Sequence, residues 1–124
     1  MSTLVINRKT YQFHDFIYIG RGTPFGNSNS SFDGSLSRDE SIAAYKYDFD
    51  KKIKRDIIFK IQILSLHDKV LGCSCKPQNC HGDIIKNYLD SIENIQLEKQ
   101  KAYNLFKRLH PNTDIRKYLK HLNI

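Results

Sequence analysis

Nowhere does the chain hold a run of about 20 apolar residues, the length a helix needs to cross a bilayer, so nothing in it reads as a membrane span. Its start, Met1-Ser2-Thr3-Leu4-Val5-Ile6-Asn7-Arg8-Lys9, reaches a charged pair before a secretory signal core could form. Cysteine is scarce: three in 124 residues, all between Cys73 and Cys80. Three thiols cannot all pair within one chain, which excludes a disulfide framework and leads to a reducing, cytoplasmic setting as the expectation. Acids are also few, 13 against 20 Lys and Arg. Near the two motifs described below only Asp33, Asp68 and Asp83 occur, too thin a set for a two-metal phosphodiesterase, which needs clustered carboxylates. No internal repeat or sustained heptad is present, so solenoids and coiled coils are excluded as well.

What remains has the composition of one globular domain, with 40% hydrophobic and 27% charged residues. The net charge of +7 and a pI near 9.4 favour a polyanionic partner, DNA first among them. A generally Lys- and Ile-rich proteome would raise the pI in the same way without any binding role.

Leu4-Val5-Ile6 and Phe16-Ile17-Tyr18-Ile19 read as strands, with Tyr11-Gln12-Phe13 a weaker one between them. Residues 28–37, rich in Ser, Asn and Gly, read as a mobile loop. Ser37 and Glu40 have capping-box spacing, and Ile42, Tyr45, Phe49 and Ile53 follow as the apolar face of a first helix. A second helix spans about residues 56–66 with a stripe of Ile57, Ile58, Ile61 and Leu64, and His67-Asp68 turns into a strand at residues 69–73. Ile84, Ile85, Tyr88, Leu89 and Ile92 mark a third helical face with Asp83 in its first turn. Leu97, Leu105 and Leu109 mark a fourth, which Pro111 ends; Thr113-Asp114 can cap a short further helix. The expected fold class is therefore α/β: a small Rossmann-like single domain over residues 1–94, its short central sheet flanked by helices, with a basic helical extension over residues 95–124. That extension carries Lys99, Lys101, Lys107, Arg108, Arg116, Lys117 and Lys120 against Glu98 and Asp114, a net +5. These seven cations are candidates for following a nucleic-acid backbone.

Two segments carry chemistry. Gly20-Arg21-Gly22-Thr23-Pro24-Phe25-Gly26-Asn27 leaves a strand with the parts of a phosphate site. Gly20, Gly22 and Gly26 let backbone approach an anion, Arg21 offers a bidentate donor, and Asn27 offers an amide. Its spacing is neither that of a Walker loop nor that of a dinucleotide fingerprint, and a plain tight loop with a surface arginine is the structural alternative. The second segment, Gly72-Cys73-Ser74-Cys75-Lys76-Pro77-Gln78-Asn79-Cys80-His81-Gly82-Asp83, gathers all three cysteines at a strand-to-helix junction. Cys73, Cys75, Cys80 and His81 form an adequate zinc donor set, but structural zinc sites clamp two separated pieces of chain, which makes zinc the weaker reading. No other cofactor is expected. The stronger reading buries Cys73 and sets Cys80, His81 and Asp83 at the exposed N-terminus of the third helix. The dipole there favours a thiolate and bound anions, with His81 as general acid/base or phosphate ligand and Asp83 orienting it or capping the helix. A structural histidine is the alternative.

Together, the Tyr-Ile-Gly-Arg-Gly-Thr-Pro-Phe-Gly-Asn start and the Cys-x-Cys-x-Pro-x-x-Cys-His-Gly-Asp block resemble the domain-of-unknown-function family 4326 of phages, viruses and bacteria. The resemblance runs from about Tyr18 to Leu89, with matches at Gly20, Arg21, Gly26, Asn27, Cys75, Pro77, Cys80, His81 and Asp83. It implies a small α/β domain in which both blocks form one site, and a host-cytoplasmic location if the chain is phage-encoded. It implies no activity. The basic extension lies outside it.

With few carboxylates at hand, the cheapest backbone cleavage is beside an abasic sugar. There an aldehyde acidifies the neighbouring proton, and His81 or a Schiff-base amine such as Lys76 suffices. The reading is thus a DNA-acting, endonuclease-like lyase or hydrolase, partnered by a DNA glycosylase or other host DNA-repair protein that makes its substrate. The alternatives are a nucleotide or nucleoside enzyme acting on an N-glycosidic or phosphate bond, and a non-enzymatic inhibitor of a host protein.

Overall fold

A computed structural model of the protein describes residues 3–11, 15–29, 36–74 and 80–122. Three short parallel strands, β1 (Leu4–Asn7), β2 (Ile17–Tyr18) and β3 (Val70–Cys73), form one sheet in the order β1-β3-β2. Leu4 pairs with Val70 and Asn7 with Cys73 on one side; Ile17 pairs with Leu71 and Tyr18 with Gly72 on the other. Around the sheet run α1 (Arg38–Arg55), α2 (Ile57–Leu64), α3 (His81–Asp90) and α4 (Ile95–Leu109), followed by 3-10 turns at Ile115–Tyr118 and Lys120–Leu122. The chain is a single small α/β domain, as its alternation of strand-like and helix-like runs predicts.

The caps follow the sequence closely. Ser37 accepts from the Glu40 amide while the Glu40 carboxylate accepts from the Ser37 amide, which closes the capping box of α1. Asp56 ends α1 and caps α2, its carboxylate accepting from the Phe59 amide at 3.1 Å. The deepest core is mostly Ile and Leu, and an aromatic cluster joins α1, α2 and α3. Phe49 of α1 meets Phe59 of α2 with ring centroids 5.8 Å apart and Tyr88 of α3 at 5.5 Å, both edge-on. The first turn of α3 lies directly on the sheet. A Cβ on Gly82 would fall 2.8 Å from Ile19 Cδ1 and 2.9 Å from Val5 Cγ1, so any side chain there would push those two residues aside.

Several element-level expectations are corrected. The β2 ladder takes in only Ile17 and Tyr18, because Ile19 already turns into the glycine loop. Tyr11 is not in a strand, and Gln12 and Phe13 lie outside the described residues, as do residues 30–35 of the expected loop. In α1 the buried ridge is Ser41, Tyr45 and Phe49, with Ile42 only half-buried. A polar residue holds that position because Ser41 is hydrogen-bonded to the loop at residues 27–29. Helix α2 has no polar side of the usual kind: Phe59 and residues 61–64 are all buried, since α1 and α4 both pack on it. The leucines that mark α4 do lie on a helix, and they face outward. Leu97, Leu105 and Leu109 are 48%, 38% and 59% exposed, and the inward face is Ile95, Ala102, Tyr103 and Phe106 instead. The leucines lie on a ridge that drifts around the helix, and contact with α2 selected the other face.

Candidate functional site

Parallel pairing sets the carboxyl ends of all three strands at one edge of the sheet, where open α/β folds hold ligands. Arg8 follows β1 there. Its amide donates to the Cys73 carbonyl at 2.9 Å, its Nε donates to Ser74 Oγ at 3.0 Å, and its guanidinium stacks over the Tyr18 ring at 4.6 Å. Sequence reasoning missed Arg8, for its place depends on β1 pairing with a strand more than sixty residues away. The only available signal was a basic residue directly after a strand.

The glycine loop leaves β2 as a compact double turn. Thr23 Oγ1 donates to the Gly20 carbonyl at 2.7 Å and accepts from the Phe25 amide at 3.3 Å, while the Gly26 amide donates to the Thr23 carbonyl at 3.3 Å. Gly22 sits at φ 86°, and Arg21 is exposed beside it at the tip. A Cβ on Gly26 would stand 2.6 Å from the Gly20 carbonyl oxygen, so the turn closes too tightly for any side chain there. Ile19 and Phe25 anchor both ends in the core.

Three polar braces fix this loop, and two of them use residues expected to meet substrate. Asn27 donates its amide to Ser41 Oγ at 2.9 Å and to the Ser41 carbonyl at 3.2 Å, and its side-chain oxygen accepts from the Asn29 amide at 2.8 Å. With those partners its side chain is committed to holding the loop against α1. Tyr45 of α1 donates its hydroxyl to the Phe25 carbonyl at 2.8 Å. Burial, and secondarily the nearby Cys80, push the Tyr45 phenol well above its usual range. The third brace is His81. Its Nε2 lies 2.7 Å from the Ile19 carbonyl and must donate, since a carbonyl only accepts. The ring is 8% exposed and meets Tyr45 edge-on at 5.0 Å. Burial holds its pKa below the ordinary histidine value, against smaller raising effects of the Ile19 bond and Asp83.

Cys80 and His81 are therefore buried, where an exposed catalytic edge was expected. Cys80 is buried and caps α3, its sulfur accepting from the Gly82 amide at 3.2 Å. Asp83 completes a capping box by accepting from the Cys80 amide at 3.3 Å. The donors expected to hold a phosphate are thus engaged within the helix start itself. Cys73 is likewise buried. Cys75 and Lys76 lie outside the described residues, and among the described residues no three His, Cys, Asp or Glu side chains gather as a metal-binding group.

The cavity of the site opens on the far side of the glycine loop. It measures about 310 Å³ and lies between Pro24, Gly26 and Ser28 of the loop and the α1 side chains of Tyr45, Asp48 and Phe49. Lys51, Lys52, Asn29 and Phe59 complete its wall. Asn29 donates to the Asp48 carboxylate at 3.1 Å, and the Lys52 ammonium stands 5.1 Å over the Phe59 ring. The Lys51 ammonium rests 4.3 Å over the Tyr47 ring outside the wall, so Lys52, the Asp48 carboxylate and the aromatic faces give the cavity its chemistry. These suit a sugar-sized polar ligand, and the volume is at the low end of ligand sites, about 300–1,000 Å³. These lysines went unnoticed in sequence because they read as the solvated face of α1.

Lys101, Lys107 and Arg108 of the extension line one shallow groove on α4. Lys101, Lys107, Arg108 and Lys120 are exposed, and Lys99 is half-buried. Arg116 pairs with Asp114 at 2.7 Å, and Lys117 lies 5.1 Å over the Tyr118 ring.

A family model described as domain of unknown function (DUF4326) matches residues 5–91. The chain belongs to this family. It is 38% identical over 88 residues to an uncharacterized 12.4 kDa protein from the nrdA-td intergenic region of Enterobacteria phage T4, covering 71% of this chain and 78% of that relative. No solved structure matches. The matched span takes in the glycine loop, α1, α2 and the Cys/His segment, and stops before α4. Among the described residues no helix is long and apolar enough to cross a membrane.

Proposed function

We propose that this DUF4326 chain is a DNA-acting enzyme that opens the backbone at abasic sites, with the sugar entering the cavity between the glycine loop and α1. The observation that carries this reading is that Lys51, Lys52 and Asp48 line one cavity beside the glycine loop. An abasic sugar in its open form presents an aldehyde. A lysine amine condenses with it, releasing water, and the resulting iminium acidifies the proton at the adjacent carbon. A base removes that proton and the neighbouring phosphate leaves, which needs neither a metal nor a second carboxylate. Asp48 is the base at hand, and Arg21, exposed at the loop tip, is the candidate phosphate ligand. A DNA glycosylase is the partner class that supplies such a substrate. His81, with its Nε2 held by Ile19, positions the loop in this scheme and takes no proton from substrate.

The test is to incubate the protein with abasic and intact duplexes, with and without EDTA, in the presence of borohydride. The expected result is nicking and a covalent protein–DNA adduct on the abasic duplex alone, insensitive to EDTA and lost in the Lys51→Ala, Lys52→Ala double variant. Failure to nick or trap would remove the reading.

A nucleotide- or nucleoside-processing enzyme is the second reading, favoured by one observation: the cavity lies wholly inside the family match, whereas the basic extension does not. The borohydride trap separates the two, since an enzyme of free nucleotides forms no covalent adduct with an abasic duplex. Truncation after Asn94 cannot serve, because it removes Ala102 and Phe106 from the core.

A further inference from the structure

Helix α4 presents an outward ridge that neither the family match nor the cavity explains. Leu97, Lys101, Leu105 and Leu109 follow one another at four-residue intervals, with Arg108 beside them and Asn104 and Lys107 along the flank. The three leucines are 48%, 38% and 59% exposed, and a shallow groove runs between Lys101, Leu105 and Arg108. Only one acid occurs in the helix, Glu98, and it is turned inward to Lys60 of α2 at 3.6 Å. The outer face is therefore apolar and cationic with no carboxylate on it.

We propose that this face docks a protein partner through an amphipathic helix bearing leucine-like residues flanked by Glu or Asp. Charge complementarity identifies the occupant. A second copy of this chain would set Lys101 and Arg108 against their own equivalents and repel. A nucleic-acid backbone would use the cations but gain nothing from three leucines, and several of the extension's other cations are engaged elsewhere, Arg116 by Asp114 and Lys117 over Tyr118. An acidic amphipathic helix uses both halves of the surface. Its apolar ridge packs between Leu97 and Leu105, and its flanking carboxylates meet Lys101, Lys107 and Arg108. The residues are distinct from those of the cavity, so partner capture and chemistry at the glycine loop can fail independently.

A synthetic peptide of about 15 residues, long enough to hold helix when docked, with Leu on one face and Glu on its flanks, serves as probe against the full chain. Fluorescence anisotropy reads its binding beside a scrambled peptide of the same composition. Binding at least tenfold tighter than the scramble is expected. In the Leu97→Ser, Leu105→Ser double variant, which alters only exposed side chains, that advantage falls at least tenfold while abasic-site nicking and thermal stability stay at the wild-type level. Equal binding of peptide and scramble overturns the proposal. So does a surface that binds duplex DNA through Lys101 and Arg108 with no dependence on the leucines, which would make the ridge a nucleic-acid contact.

Discussion

His81 Nε2 and the Ile19 carbonyl lie 2.7 Å apart across 62 positions of sequence, joining the start of α3 to the residue from which the glycine loop departs. A histidine that reads as catalytic from its neighbours is here a strut of the loop. Replacing it with Ala leaves a buried carbonyl without its donor and a hole beside Tyr45. A loss of about 2–4 kcal/mol in unfolding free energy is expected by urea titration. His81→Gln, which can present an amide donor at a similar reach, should recover part of that loss. A catalytic histidine would instead leave stability nearly unchanged while activity collapsed.

The burial of the same ring predicts a pH dependence, which the Ile19 bond only partly offsets. Burial lowers the folded-state pKa of His81, so the unfolded chain takes up this proton first. The contribution is present in full above about pH 6.5, the ordinary histidine value, and is lost as pH falls through the lower folded value. Thermal melts between pH 7.5 and 5 should show a decline that is shallower in His81→Gln; parallel curves for the two proteins would sink the idea.

Tyr45→Phe removes the hydroxyl that holds the Phe25 carbonyl without changing the packing of the ring. About 1–2 kcal/mol of stability should go with it. Because Tyr45 also lines the cavity, increased amide exchange at residues 23–27 would accompany the loss. Unchanged exchange there would show that the loop stands without this brace.

Gly26→Ala places a methyl group 2.6 Å from the Gly20 carbonyl oxygen, a backbone atom that cannot swing aside. The turn must open, at about 1–3 kcal/mol. Ligand affinity at the cavity should fall more than stability does, since Gly26 forms part of its wall. Comparing the melt with binding of an abasic oligonucleotide checks the order of the two effects.

Cys80→Ser tests the metal reading of the segment. As a cap, the serine oxygen accepts from the Gly82 amide at least as well as sulfur does, so stability should change by less than about 1 kcal/mol. EDTA should leave the melting temperature of both proteins unchanged. A large loss on substitution together with EDTA sensitivity would restore zinc to the site.

Local signals carried much of this fold. Ser37 with Glu40 marked the start of α1, Asp83 marked the first turn of α3, and both became capping boxes. The His81–Ile19 bond sets the second block against the residue that precedes the glycine loop. What sequence could not show was direction. Capping chemistry and catalytic chemistry draw on the same residues, so Cys80, His81 and Asp83 looked like an open edge until packing turned them inward. Leu97, Leu105 and Leu109 fit a buried stripe by period alone, and only the docking of α4 on α2 chose Ala102 and Phe106 over them. Arg8, Lys51 and Lys52 gain their significance from tertiary neighbours, which no local pattern encodes.

The central place of β3 sets an order on synthesis. Neither β1 nor β2 has a strand partner until Val70–Cys73 has been made, because the sheet runs β1-β3-β2. The glycine loop gains its strut later still, when His81 arrives. During translation the N-terminal third must therefore wait, unpaired, while α1 and α2 form from local contacts. Sheet, loop and cavity then close in one late step, of the slow kind expected when pairings are distant in sequence. Substitutions in β3 should consequently slow folding more than equally destabilising ones in α1.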